Sequence, residues 1–159
     1  MKSNKKHATE CECVMCVAKR EGLTKQQARL RFKHREEQMM AKQGWVIHYV
    51  LGDDDQPVNI HTHGLEEKFG HLDLQLAIAV PPDMAQGILL SAVDLIKRGL
   101  TLTPGLRVKK VLKDYDVKIV AADDNGRAVV RIIIPDAGGH LEKQDMEALY
   151  AEQYEGVVQ

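Results

Sequence analysis

Three of the chain's seven histidines fall between positions 61 and 71, in the run Ile60-His61-Thr62-His63-Gly64-Leu65…Gly70-His71-Leu72-Asp73. Neutral imidazole is the commonest protein ligand for zinc and related ions and titrates near pH 6.5, so the cluster points to metal binding or acid–base chemistry. Strand pairing brings in a fourth histidine. Trp45 to Leu51 and Val58 to His63 each alternate apolar and polar residues, and Gly52-Asp53-Asp54-Asp55-Gln56-Pro57 between them is turn chemistry. Placing Trp45, Ile47, Tyr49 and Leu51 on one core face with Val58, Ile60 and Thr62 requires Leu51 opposite Val58 or a register shifted by two; the first sets His48 opposite His61 and Val46 opposite His63. A slip of one residue would send a whole apolar set to water.

His48, His61 and His63 then share the face turned from the core. Cross-strand Cβ atoms lie about 4.5–5.5 Å apart, close enough for two imidazoles to share one zinc ion at ~2.0 Å per bond. A third ligand comes from His63, His71 or Asp73, and an open fourth position would make the site catalytic. In that case Glu66, Glu67 or Asp73 serves as general base on a metal-bound water. The plain alternative is a solvated or helix-covered face on which histidines are ordinary polar residues.

A second constellation lies in the arm of residues 1–22, where Cys11-Glu12-Cys13-Val14-Met15-Cys16 crowds the chain's three cysteines into six positions. Three thiolates and one imidazole complete a zinc tetrahedron, with His7 or His34 as the fourth ligand. Cu(I) and a Cys-x2-Cys redox pair are the alternatives, with three unbound reduced thiols as the plain one. Three crowded cysteines make no disulfide framework, which fits a reducing cytoplasm.

The elements that must position these groups follow from periodicity. Thr24 caps a helix to about Gln43, stopped by Gly44, with Ala28, Phe32 and Met39 forming a narrow apolar seam. Leu74, Leu76, Ile78 and Val80 mark a third strand, and Pro81-Pro82-Asp83 opens a helix to about Arg98 with Met84, Ile88, Ala92 and Leu95 as its buried stripe. Two strands, about 116–122 and 127–134, meet at the hairpin signal Asp123-Asp124-Asn125-Gly126. Arg127 and Arg131 alternate on one face of the second strand; they could hold an anion, and the favoured expectation is pairing with Asp or Glu across the hairpin. A helix over about 142–154 ends the chain. Hairpins flanked by helices, without βαβ alternation, predict an α+β fold with a mostly antiparallel sheet of about five strands. The arm of residues 1–22 precedes a single domain over 23–159.

At 159 residues and 44% hydrophobic content the chain can bury a core, and 4% aromatics make that core aliphatic. Residues 1–44 carry eleven Lys/Arg against five Asp/Glu, while 45–159 carry eleven against eighteen. A basic arm on an acidic body either packs on its own domain or attracts nucleic acid. No apolar run approaches the ~20 residues of a membrane span, and no secretory signal is expected. A Gly-rich phosphate loop and an activated serine are both missing.

The run Thr62-x-Gly64-Leu65…Phe69-Gly70-His71-x-Asp73-Leu74, then Pro81-Pro82-Asp83-Met84-Ala85 and the helix to Gly99, resembles a bacterial family, domain of unknown function 4262, over about residues 45–135. The resemblance implies a small bacterial α+β domain and carries no established activity. His61, His63 and Glu67 also match the His-x-His-x3-Glu fragment of cupins, without that family's second motif. The expectation is therefore a cytoplasmic, zinc-binding interaction or regulatory module with a protein partner. A metal-dependent hydrolase built on His48, His61 and His63 is the first alternative. Nucleic-acid binding through the basic arm is the second.

Overall fold

The protein is described by a computed structural model that covers residues 14–52 and 57–158. It divides into two compact units, residues 1–43 and 44–159. In the first, α1 (Val14–Arg20) and α2 (Lys25–Gln43) form a helical hairpin around Gly22, which takes φ +67°. Thr24 begins α2 as a reciprocal capping box: the Gln27 N–H donates to Thr24 Oγ1 at 3.2 Å, and the Thr24 N–H donates to Gln27 Oε1 at 2.9 Å. Of the expected seam on α2, Ala28 is buried, Phe32 is half-buried and Met39 is exposed. The cationic side chains Arg29, Arg31, Lys33 and Arg35 all face solvent.

The second unit is built on a six-stranded sheet in the order β1-β2-β3-β6-β5-β4. Its strands are β1 (Val46–Leu51), β2 (Pro57–His63), β3 (Leu74–Leu76), β4 (Arg107–Val108), β5 (Val117–Asp124) and β6 (Arg127–Ile133). Every neighbouring pair is antiparallel except β3 and β6, which run parallel. The sheet is therefore mixed and six-stranded, where alternation predicted about five mostly antiparallel strands. The β5–β6 hairpin docks with its second strand inward against β3, and a two-residue β4 is too short to leave a periodic signal. The hairpin turn itself follows its chemistry, with Asn125 and Gly126 at φ +53° and +87°, as a type I′ turn requires.

Helix α4 (Pro82–Lys97) covers one face, packed on Ile60, Leu74, Leu76, Ile119, Val130 and Ile132. Its buried residues are Ala85, Ile88, Leu89, Ala92, Val93 and Ile96. The expected stripe is thus rotated: Met84 is exposed and Leu95 half-buried, because a sheet offers the helix a broader contact than a single i, i+4 row. A short helix α3 (Leu65–Phe69), hidden from periodicity by its length, links β2 to β3.

The opposite face changes character from one edge to the other. Register places His48 opposite His61, His61 opposite Gln75, Gln75 opposite Arg131 and Arg131 opposite Val120, a single cross-strand row on one face. At the β5–β6 end this face is apolar. Val120, Ile133 and Leu141 form a small cluster there, capped by Met146, Tyr154 and Val157. The predicted helix over 142–154 is instead a 3₁₀ turn (Lys143–Asp145), α5 (Ala148–Ala151) and a second 3₁₀ turn (Glu152–Tyr154). Tethers to the sheet override helical propensity. The buried Gln153 side chain bonds both the N–H and the carbonyl of Ile134, and Asp136 accepts from the Glu147 N–H. No helix among the described residues is long and apolar enough to cross a membrane.

Asp136 is nearly sealed and accepts the backbone N–H groups of His140, Glu147 and Gly138, as well as the His140 ring at 3.0 Å. The His140 N–H foremost holds its carboxyl at about 2, below the usual carboxylate range. A depressed folded-state value means the unfolded chain binds more protons at low pH. The stabilisation from Asp136 is then complete above about pH 4 and lost as pH falls through about 2. Thermal melts between pH 5 and 2 should show the difference in Tm between the native protein and Asp136→Asn shrinking toward the acid end. A difference that stays constant would refute this role.

Candidate functional site

The histidine face lies at the β1–β2 end of that row. β1 pairs with β2 as Val46–His63, His48–His61 and Val50–Asn59, the alignment expected from alternation, and a bulge at Val50/Leu51 sets Leu51 opposite Pro57 rather than Val58. The three rings form a tight triangle. Centroids of His48 and His61 are 5.2 Å apart, those of His48 and His63 5.6 Å, and those of His61 and His63 4.7 Å. His61 is 5% exposed. Burial above all, then the neighbouring His63, outweighs the opposing pull of Asp124 and lowers its pKa to about 4. It is neutral at pH 7 and keeps a lone pair for a ligand or a proton.

Hydrogen bonds orient the triangle. His61 Nε2 lies 3.0 Å from His63 Nε2, and His61 Nδ1 lies 3.1 Å from Asn59 Oδ1. Gln75 Nε2 donates to the same Asn59 oxygen at 3.2 Å, while Asn59 Nδ2 donates to Asp124 Oδ1 at 3.2 Å. Arg127 closes the far side, with Nη1 3.2 Å from His63 Nδ1 and 2.9 Å from Asp73 Oδ2, and Nη2 3.3 Å from Asp124 Oδ2. Arg127 thus has the cross-hairpin acidic partner expected of it. Arg131 does not: it donates to Gln75 Oε1 at 2.8 Å and to the carbonyls of Gln153 and Glu155. Among the described residues, no three His, Cys, Asp or Glu side chains present their donor atoms as a ready-made metal cage.

The other predicted ligands and bases are placed elsewhere. The Leu102 N–H donates to His71 Nε2 at 3.0 Å, so the ring proton sits on Nδ1, which donates to the Leu72 carbonyl at 2.7 Å. Nε2 thus fastens the loop after α4, while Nδ1 is held by its own neighbour. Asp73 is a clasp: Oδ1 accepts from Thr62 Oγ1 at 2.9 Å and from the Leu65 N–H at 3.1 Å, while Oδ2 holds Arg127. Thr62 Oγ1 also accepts the Leu74 N–H at 2.9 Å. Glu66 and Glu67 are exposed on α3, and His34 is exposed on α2. Cys16 is half-buried on α1, whereas His7, Cys11, Cys13 and the Asp53-Asp54-Asp55 turn lie outside the described residues.

The segment holding this clasp and the histidine face carries the chain's relationship. A family model, Domain of unknown function (DUF4262), matches residues 39–145. The chain belongs to the DUF4262 family. No curated protein and no solved structure matches it. In this DUF4262 domain Thr62, Gly64, Leu65 and His71, which carried the resemblance, do structural work together with Asp73. They join the end of β2 to the start of β3 and hold the 99–105 loop. The polar partners that alternation missed as a network are Asn59, Gln75, Asp124 and Arg127. Asn59 lies at i−2 from His61 on the same strand face, the one partner that alternation puts beside the histidines.

Proposed function

We propose that this DUF4262 domain binds a divalent transition-metal ion, zinc in the first instance, at His48, His61 and His63, and serves as an interaction or regulatory module. The observation that carries the reading is the ring triangle. Three imidazoles bound through nitrogen at ~2.0–2.1 Å to a tetrahedral ion place their centroids roughly 5 Å apart, and the three separations here are 5.2, 5.6 and 4.7 Å. Rotation about χ2 swings the ring nitrogens while leaving the centroids nearly in place. Burial keeps His61 in the neutral form an ion requires. Asn59 Oδ1 at His61 Nδ1 supplies the outer hydrogen bond that orients a metal-ligating imidazole.

A module is favoured over a hydrolase because the carboxylates of the network are already engaged: Asp73 accepts from three donors, and Asp124, 3.8 Å from His61 Nδ1, accepts from Asn59 and Arg127. The test is zinc uptake by the full-length, metal-stripped protein, followed by calorimetry and elemental analysis. One ion bound at the histidines, lost in His61→Ala and weakened at least tenfold in His48→Ala, is the expected result. Replacing Cys11, Cys13 and Cys16 with serine separates any ion held by the cysteine arm. Zinc binding that survives His61→Ala and His48→Ala unchanged, or no binding at all, would overturn the assignment.

A further inference from the structure

We infer that Arg127 is a latch on the histidine site, holding His63 in the tautomer that cannot bind an ion through Nε2. This rests on the metal reading and adds its control. A guanidinium carries only donors. With Arg127 Nη1 at 3.2 Å, His63 Nδ1 must present a lone pair, so the neutral ring's proton lies on Nε2. That proton points at His61 Nε2, 3.0 Å away. On its far side His61 Nδ1 faces Asn59 Oδ1, whose identity as oxygen is set by Gln75 donating to it and by Asn59 Nδ2 donating to Asp124. The chain of donors therefore runs one way: Arg127 to His63, His63 to His61, His61 to Asn59.

In this state His61 Nε2 has a lone pair, already taken by its neighbour, and His63 Nε2 has none to give. To ligate through Nε2, His63 must move its proton to Nδ1, where it would meet the Arg127 N–H, donor against donor. The guanidinium must then leave the ring. Somewhere to go is built in: Asp73 Oδ2 at 2.9 Å and Asp124 Oδ2 at 3.3 Å already hold the same side chain. Ion binding and the Arg127–His63 hydrogen bond exclude one another.

Two measurements on the full-length protein test this. In the metal-free, ¹⁵N-labelled protein, long-range ¹H–¹⁵N spectra should show His63 as the Nε2–H tautomer and His61 as the Nδ1–H tautomer. In Arg127→Met the His63 population should move toward Nδ1–H, and cobalt(II) affinity, read from its visible absorption, should rise roughly tenfold, the worth of one hydrogen bond from a charged donor. A purely electrostatic influence of the arginine would alter affinity and leave the tautomer where it was. If Arg127→Met does not fold, the native protein carries the test: His63 should be Nε2–H when metal-free and move to Nδ1–H on zinc binding, with the Arg127–His63 hydrogen bond lost. Cobalt uptake by native and variant proteins at equal affinity, or His63 already Nδ1–H in the native protein, sinks the latch alone. Absence of uptake by either sinks the metal reading and the latch with it.

Discussion

Gly64→Ala is expected to destabilise the domain by ~3 kcal/mol or more, from left-handed strain added to an unrelieved overlap. Gly64 takes φ +100°, and an added Cβ would lie 2.4 Å from the Gly44 carbonyl oxygen and 3.1 Å from Trp45 Cα. Both obstacles are main chain, at the point where β1 begins beside the end of β2, so no side-chain rotation relieves them. Gly70→Ala is the control. Its φ is +67° with nothing within 4 Å of the new methyl, so strain alone should cost about 1 kcal/mol. Urea denaturation of the two variants decides the matter, and equal losses would mean that the close approach of Gly64 to Gly44 adds no cost of its own.

Asp73→Ala should cost about 3 kcal/mol, the scale for removing one partner of a largely desolvated, multiply bonded charge. Its carboxylate is 14% exposed and serves three donors from three elements: Thr62 on β2, Leu65 at the start of α3, and Arg127 on β6. Asp73→Asn should lose less, since one oxygen remains to accept. A double-mutant cycle with Arg127→Met should give a coupling of ~1 kcal/mol or more, as expected for residues sharing one network. Denaturant midpoints check each value. If Asp73→Ala leaves the midpoint unchanged, the clasp carries no weight and the residue returns to consideration as a base.

Alternation placed His48 on the same face as His61, because any pairing that keeps Ile47, Tyr49 and Ile60 on a common apolar side turns both histidines to the other; their direct pairing was one of the registers it allowed, and it is the one observed. It could not foresee the bulge at Val50/Leu51, which depends on a local backbone choice that no side-chain period records. His71 and Asp73 looked like members of the histidine group because they are near in sequence. The chain turns through α3 between them and His63, and hydrogen bonds to Leu102 and Leu65 claim both residues. Arg127 was legible as one half of a hairpin ion pair and illegible as a neighbour of His63, 64 positions earlier. That proximity exists only because β6 lies next to β3, and parallel neighbours leave no turn between them to read. The terminal helix failed for a related reason: Gln153 and Asp136 impose tertiary bonds on a stretch whose composition favours a helix.

The lone parallel contact has a kinetic meaning. Strands β1, β2 and β3 form one wing of successive antiparallel neighbours, and β6, β5 and β4 form another; each wing assembles over short stretches of chain. Joining them brings Gln75 to Arg131 across 56 positions, the step with the greatest loss of chain entropy before any contact rewards it. Zippering of the two wings is therefore expected last in refolding, with the imidazole triangle, contained in the first wing, taking shape before its arginine arrives.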